Sequence, residues 1–324
     1  MSTYEAKVVR IKEINPHPNA DALEVTNIYN YPCCIRKDQF EVGDLAVFIE
    51  PDTLVPVEKE YFSFLAPKAK DGYARISAIK LRGYASFGLL IKADSSFTEG
   101  HNVFEELGLK HWEPATKFST QGEQASAPNI YHVKYDMESY RKYFNILQLG
   151  EEVEISEKLH GSSARFVFTN GVLHVSSHTT WKKFDEANLW WMAALNIGLE
   201  EKLKNYPDHV FYGEAYGNVQ NLRYGHTKNQ KPSLAFFDII HEGQFLPPKK
   251  TQEICAELNL PHVPILFEGP WDPNLMALAD GKTTIPGADH IREGCVIKLL
   301  VPRMDLEIGR VILKIVSADY LAMK

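Results

Sequence analysis

Short runs in which apolar and polar positions alternate dominate this chain, and only one stretch carries helical spacing. In the first third, residues 6–11, 23–29, 44–49 and 74–79 are rich in Val, Ile and Ala and are separated by Gly, Pro and Asn. Runs of this kind, closed by turn residues, predict strands, and their close succession predicts a small barrel. Further along, residues 152–156, 211–217, 234–240, 292–298 and 310–317 are again strand-like. Residues 185–203, rich in Ala, Leu and Trp, read as helical and suited to cover one face of a sheet. Between these regions, residues 119–129 cluster Thr, Gln, Gly, Glu, Ser and Pro and read as a linker. The pattern predicts an α+β protein with a first domain at 1–115, a linker at 116–130 and a second domain of antiparallel sheets flanked by helices at 131–324.

Composition narrows the classes. With 44% hydrophobic residues in 324 there is enough apolar material for two cores. Four cysteines offer no CxxC pair, which argues against a zinc site or a disulfide framework and for a reducing interior. No apolar run reaches membrane-spanning length and the first residues are polar, so a soluble monomer inside the cell, cytoplasmic or nuclear, is expected, without membrane attachment. Lys plus Arg number 35 against 42 Asp plus Glu, so a chain-wide electrostatic attraction for nucleic acid is excluded. A local one is not. Between Lys68 and Lys92 lie six basic residues and one acid, interleaved with Tyr73, Tyr84 and Phe87. Cations along a backbone with aromatics for bases suit single-stranded nucleic acid, and Lys80 and Arg82 are the contacts expected here.

The residue with the most chemistry is Lys158, in Glu157-Lys158-Leu159-His160-Gly161-Ser162-Ser163, just after a strand and just before a Gly turn. Such a position can present an amine to phosphorus. An ordinary lysine, with a pKa of about 10.4, is protonated at neutral pH and cannot attack, so burial or neighbouring cations must lower it. Downstream, one carboxylate (Glu214) sits among small and β-prone residues, and Asp238 interrupts an apolar run behind Phe236 and Phe237. Glu293 and Lys298 flank a short Gly-containing strand, and Lys314 lies on a β-branched one.

In this order the segments resemble the motifs of the covalent nucleotidyltransferase superfamily, which holds ATP-dependent DNA and RNA ligases and mRNA capping enzymes. Lys158-x-His160-Gly161 looks like the nucleophile motif; Glu214, Phe237-Asp238, Glu293-Gly294 and Lys314 look like the later ones. Residues 217–225 look like the segment that follows the Glu motif in RNA ligases. The phrase at 17–23 resembles the opening of OB-fold tRNA-binding domains, and residues 80–90 resemble part of the N-terminal domain of Naegleria-type RNA ligases.

The resemblance implies an OB domain followed by an adenylyltransferase domain. It implies an ATP-dependent RNA ligase that joins 3′-OH and 5′-phosphate RNA ends through lysyl-AMP and an adenylylated RNA end. Lys158 would be the nucleophile, with Glu214, Glu293, Lys298 and Lys314 also catalytic. His160, Gly161, Arg165 and Phe237 would bind the nucleotide, and Glu293 a divalent metal, Mg or Mn, through its waters. Lys298, Lys314 and Arg165 would supply cations near Lys158 and lower its pKa. Phe237 is chosen over Phe236 to stack on adenine, although simple alternation puts Phe236 on the face of Asp238. The alternatives are a DNA ligase, a capping guanylyltransferase, or a non-catalytic nucleic-acid-binding relative. Two departures stand out: Val316 occupies the place of a second lysine in the last motif, and only residues 318–324 follow that motif, so the accessory domain is expected at the N-terminus.

Overall fold

The structure, a computed structural model, describes residues 4–113 and 116–323. The chain forms two compact units. The first holds residues 4–113 together with Tyr140–Phe144 and residues 318–323; the second holds residues 116–139 and Asn145–Ser317.

The first unit is built of small antiparallel sheets. Leu45–Ile49 is the centre of one, between Ala6–Arg10 and Leu89–Lys92, and Thr53–Pro56 pairs with Tyr73–Ile76 in another. Alternate residues such as Ala6 and Val8 face a core with Val47, Ile49, Val55 and Phe62, which is the period-two burial that the sequence pattern carries. Tyr140–Phe144 belongs to this unit, although the boundary expected at 131 assigns it to the other. The Arg141 guanidinium lies 4.8 Å from the Phe87 ring centre and donates to the Asn30 carbonyl, and Lys142 is ion-paired with Glu5.

The second unit is a pair of sheets. One runs Glu138–Ser139, Ile312–Val316, Gly294–Leu299, Glu152–Lys158, Ile265–Pro270 in spatial order. The other runs Trp181–Lys182, Val172–Ser177, Ser162–Thr169, Val210–Tyr216, Ser233–His241, Gln244–Phe245. Tyr135, Val167, Tyr212 and Ile240 meet Val296 and Ile312 in the core between them. The opposite face of the six-stranded sheet, with Phe166, Phe211 and Phe236, is covered by the helices Leu189–Asn196, Leu199–Leu203 and Pro248–Glu257. The expected helical stretch is thus two helices. Asn188 caps the first by accepting from the Trp190 amide, and Gly198, at φ 61°, breaks the path before the second.

The segment expected as a linker, 116–130, is hydrogen-bonded along this unit. Lys117 donates to the Val219 carbonyl, Ala125 to Trp181, Leu189 to Ser119 and Lys183 to Glu123. Backbone groups need partners whatever the side chains, so a polar composition that reads as solvated chain also suits an edge pairing.

A bulge decides which aromatic faces the inter-sheet space. Tyr212 pairs with Asp238 and Gly213 with Phe236, so Phe237 is the extra residue on its strand. The insertion resets the alternation. Phe236 and Ile239 point to the helices, while Phe237 and Asp238 both point toward Tyr135 and the other sheet. Phe236 is wholly buried and Phe237 only partly. Phe236→Ala is therefore expected to cost about 3–5 kcal/mol in chemical denaturation, and Phe237→Ala distinctly less. Equal losses would contradict the reset face.

Candidate active site

Three hydrogen-bonded strands set the floor of the site in rows. Glu154 pairs with Lys298 and Lys298 with Ile312; Ser156 with Val296 and Val296 with Lys314; Lys158 with Gly294 and Gly294 with Val316. Val296 and Ile312 face the inter-sheet core. Strand alternation then places Glu154, Ser156, Lys158, Lys298, Lys314 and Val316 on that same side of the sheet.

Lys158 ends its strand. Its Nζ lies 2.7 Å from Glu293 Oε1, and Glu293 Oε2 lies 3.5 Å from His160 Nδ1. Gly161 donates its amide to Glu214. A Cβ at Gly161 would stand 2.0 Å from the Ala215 carbonyl oxygen, so only glycine lets the turn lie against the Glu214 strand. At Gly294, φ is 158° and a Cβ would stand 2.0 Å from the Ile315 oxygen, which fixes how closely Glu293 approaches Lys158. Lys158, His160, Gly161, Glu214 and Glu293 are thus brought into one cluster.

The electrostatics of that cluster differ from the expectation. Burial works to lower the Lys158 pKa, but Glu293 and Glu214 outweigh it and the value is raised. Burial works to raise Glu293, yet Lys158 and His160 hold it at about 2. Burial dominates at Glu214, aided by the charge of Glu293, and carries its carboxyl to about 8 despite Lys158 and the Gly161 amide. The charges acting on Lys158 are those of carboxylates, not the cations expected to depress its pKa.

Two of those cations are engaged elsewhere. Lys298 is buried; its ammonium lies 2.9 Å from Glu154 Oε1 and donates to the carbonyl of Phe237 at 2.7 Å, while Gln252 donates to Glu154 Oε2. It ties the bulged residue to the facing sheet. Arg165 donates to the Val133 carbonyl, Ser176 Oγ and the Ser177 carbonyl, 5.2 Å from the Trp181 ring centre, and burial lowers its pKa. The physical reason is common to both: a long side chain buried between two sheets must satisfy its donors locally. Arg310, a candidate substitute for the absent second lysine, donates to Asp238 Oδ2 at 2.6 Å, where the Tyr135 hydroxyl also donates at 2.6 Å. Phe237 packs edge-on against Tyr135, with ring centres 4.8 Å apart. Lys80 and Arg82 lie in the first unit, on the hairpin of Ile79–Leu81 and Tyr84–Ser86. Lys80 pairs with Asp319, and Arg82 is exposed at the turn with φ 47°.

Sequence reasoning missed several supports. Glu157 accepts from the Thr284 amide and hydroxyl at 2.7 Å each and from the Thr283 hydroxyl, which ties down the loop ahead of Glu293. Tyr224 accepts from the His160 amide at 2.7 Å. The signal for the first group is visible in the chain: Glu154, Ser156, Glu157 and Lys158 are too polar for an ordinary core strand.

Solved structures share this architecture. Naegleria gruberi RNA ligase with PPi superimposes with a TM-score of 0.84 at 26% identity, over 98% of both chains. A mutant of the same enzyme with ATP and Mn gives 0.82 at 26% identity over 98% of both, and another with AMP and Mn gives 0.83 at 26% over 98% of both. No curated protein matches the chain significantly by sequence. An OB-fold domain model matches residues 5–93, in the first unit, and accords with the expected barrel. The family model described as RNA ligase matches residues 151–316, more than half of the chain and the whole of the clustered site, and the chain belongs to the RNA ligase family.

Proposed function

We propose that this protein is an ATP-dependent RNA ligase that joins 3′-OH and 5′-phosphate RNA ends, with Lys158 taking up AMP and passing it to the 5′ end. The observation that carries this reading is the half-buried Lys158 amine at the end of its strand, 2.7 Å from Glu293 and within reach of the Glu214 carboxyl's charge. Amine attack on the α-phosphorus of ATP forms the Lys158 Nζ–P bond and breaks the bond to pyrophosphate; AMP then passes to the RNA 5′-phosphate, and the 3′-OH displaces it. ATP with Mn in the structurally similar Naegleria enzyme supports the choice of nucleotide and metal.

The residues present fit a hydrated divalent ion. Among the described residues no group of three or more His, Cys, Asp or Glu stands ready to hold a metal alone. Glu293 Oε2, however, is buried without a hydrogen-bond partner. One such carboxylate, with waters and nucleotide phosphates, is the kind of site Mg or Mn accepts. A cation there supplies charge neutralisation at the transferring phosphoryl group. Glu293 facing such a cation would share its charge, which would relax its hold on the Lys158 proton.

The remaining roles follow from placement. Glu214, largely protonated at neutral pH, can both donate to and accept from ribose oxygens. Phe237 stacks on adenine from the face the bulge gives it, with Lys298 as a positioning residue through its carbonyl. Lys314 meets the phosphates from the neighbouring row. His160 orients Glu293, and Lys80 and Arg82 of the first unit touch RNA.

Incubation with α-labelled ATP and Mg or Mn is expected to leave label on the denatured protein, and Lys158→Ala to abolish it. Label from GTP instead would move the reading to capping chemistry, and none from either nucleotide would sink it. Because only the deprotonated amine attacks and Glu293 and Glu214 raise its pKa, labelling at low ATP should rise steadily with pH from about 6 to about 9; a flat profile would contradict the electrostatic picture. Glu214 supplies a stability test. Its folded-state pKa of about 8 exceeds the ordinary 4.5, so the folded protein keeps a proton that the unfolded chain releases, and stability falls as pH rises between these values. Glu214→Gln removes that dependence. The Tm of the variant relative to the parent should climb across that window, and a pH-independent difference would overturn the assignment.

A further inference from the structure

The loop after the Glu214 strand has an inner and an outer side. Leu222 and Tyr224 are buried, and Arg223 between them is exposed. On the inner side the Tyr224 hydroxyl holds the His160 amide at 2.7 Å, and the Tyr224 amide donates to His290 Nε2 at 3.3 Å. Other contacts bring cations to the same loop. The Lys117 amide donates to the Val219 carbonyl at 2.8 Å, and Lys117 Nζ lies 3.5 Å from Asn218 Oδ1. Asn218 Nδ2 donates to the Lys228 carbonyl at 2.6 Å. Asn218 thereby links the segment of Lys117 to that of Lys228, and Lys117 is close enough to Arg223 to feel its charge.

Neither Lys117, Arg223 nor Lys228 forms an ion pair among the described residues. Several other cations of this unit are matched with carboxylates: Lys158 with Glu293, Lys298 with Glu154, Arg303 with Glu151, Arg310 with Asp238. In a chain of net charge −7, carboxylates are in excess, so unmatched cations held together carry a repulsion that an outside anion relieves. Burial and the Arg223 charge lower the Lys117 pKa, in keeping with that repulsion.

We infer that Lys117 and Arg223, with Lys228 beside them, form a binding site for the phosphate backbone of the RNA strand. The inference rests on the RNA ligase reading. All three side chains are exposed, whereas the nucleotide's chemistry is assigned to the half-buried Lys158 and the buried Glu293, so a long polyanion on the surface fits them better than the triphosphate. Phosphate contacts of this kind position a strand without reading its sequence. One peptide unit separates Arg223 from Tyr224, so a strand bound outside is registered against the turn that carries His160.

The test uses the full chain and its Lys117→Ala/Arg223→Ala double variant. Two quantities are read: label taken from α-labelled ATP, and affinity for a 5′-phosphate single-stranded RNA over a range of salt. Labelling should match the parent. RNA binding should weaken about tenfold or more at low salt, and the slope of log affinity against log salt should become shallower by about 1.4, two contacts of about 0.7 each. The charge-keeping Lys117→Arg/Arg223→Lys should restore the slope. An unchanged slope overturns the site. Loss of labelling with RNA affinity intact also overturns it, assigning the cations to the nucleotide. If the parent itself takes no label, the enzymatic reading fails, while the salt slope still judges the RNA site.

Discussion

Everything in the second unit turns on the 2.7 Å pairing of Lys158 with Glu293. A nucleophilic amine must be placed to within a fraction of an ångström and must also lose its proton, and these demands oppose each other. The carboxylate that fixes Lys158 also stabilises its charged form. The backbone secures the placement: Lys158 and Gly294 are paired in register, and Gly294 has no side chain to hold the Ile315 strand away. Reactivity is then a question of how Glu293 shares its charge when substrate and metal arrive.

The buried polar groups around that pair follow one logic. Lys298, Glu154 and Gln252 pair with one another, and Tyr135 and Arg310 both donate to one oxygen of Asp238 between the sheets. Such groups are costly when left unpaired, so each network tolerates few arrangements. Both end at the Phe237–Asp238 bulge, one at the Phe237 carbonyl and the other at the Asp238 carboxylate. A ring on a bulge has no regular ladder to hold it. These two networks supply that restraint.

The strands and the ordered motifs were legible because period-two burial and isolated charges in apolar runs are local properties. The expected runs at 6–11, 152–156 and 234–240 all lie on observed strands. Three features were not legible, each for a non-local reason. The face of Phe237 depends on one extra residue opposite Tyr212, which alternation along a single strand cannot show. The fate of Lys298 and Arg165 depends on partners 144 and 11 residues away in Glu154 and Ser176. The membership of Tyr140–Phe144 in the first unit depends on Arg141 meeting Phe87. Charge told where cations were, and only the fold told which were already spent.

The absent second lysine acquires a meaning from the register. Val316 pairs with Gly294, which pairs with Lys158, so a lysine at 316 would stand in the row of Lys158. With valine there, that row holds one amine, and Glu293 is the carboxylate paired with it. Lys158 and Glu293 offset each other and Glu214 is largely protonated at neutral pH, so the cluster offers little of the positive charge that a transferring phosphoryl group requires. Lys314 lies one row away, and Arg310 is held by Asp238. On the proposed reading the balance comes largely from what binds, ATP and a metal that Glu293 would face, and these complete the electrostatics of the pocket.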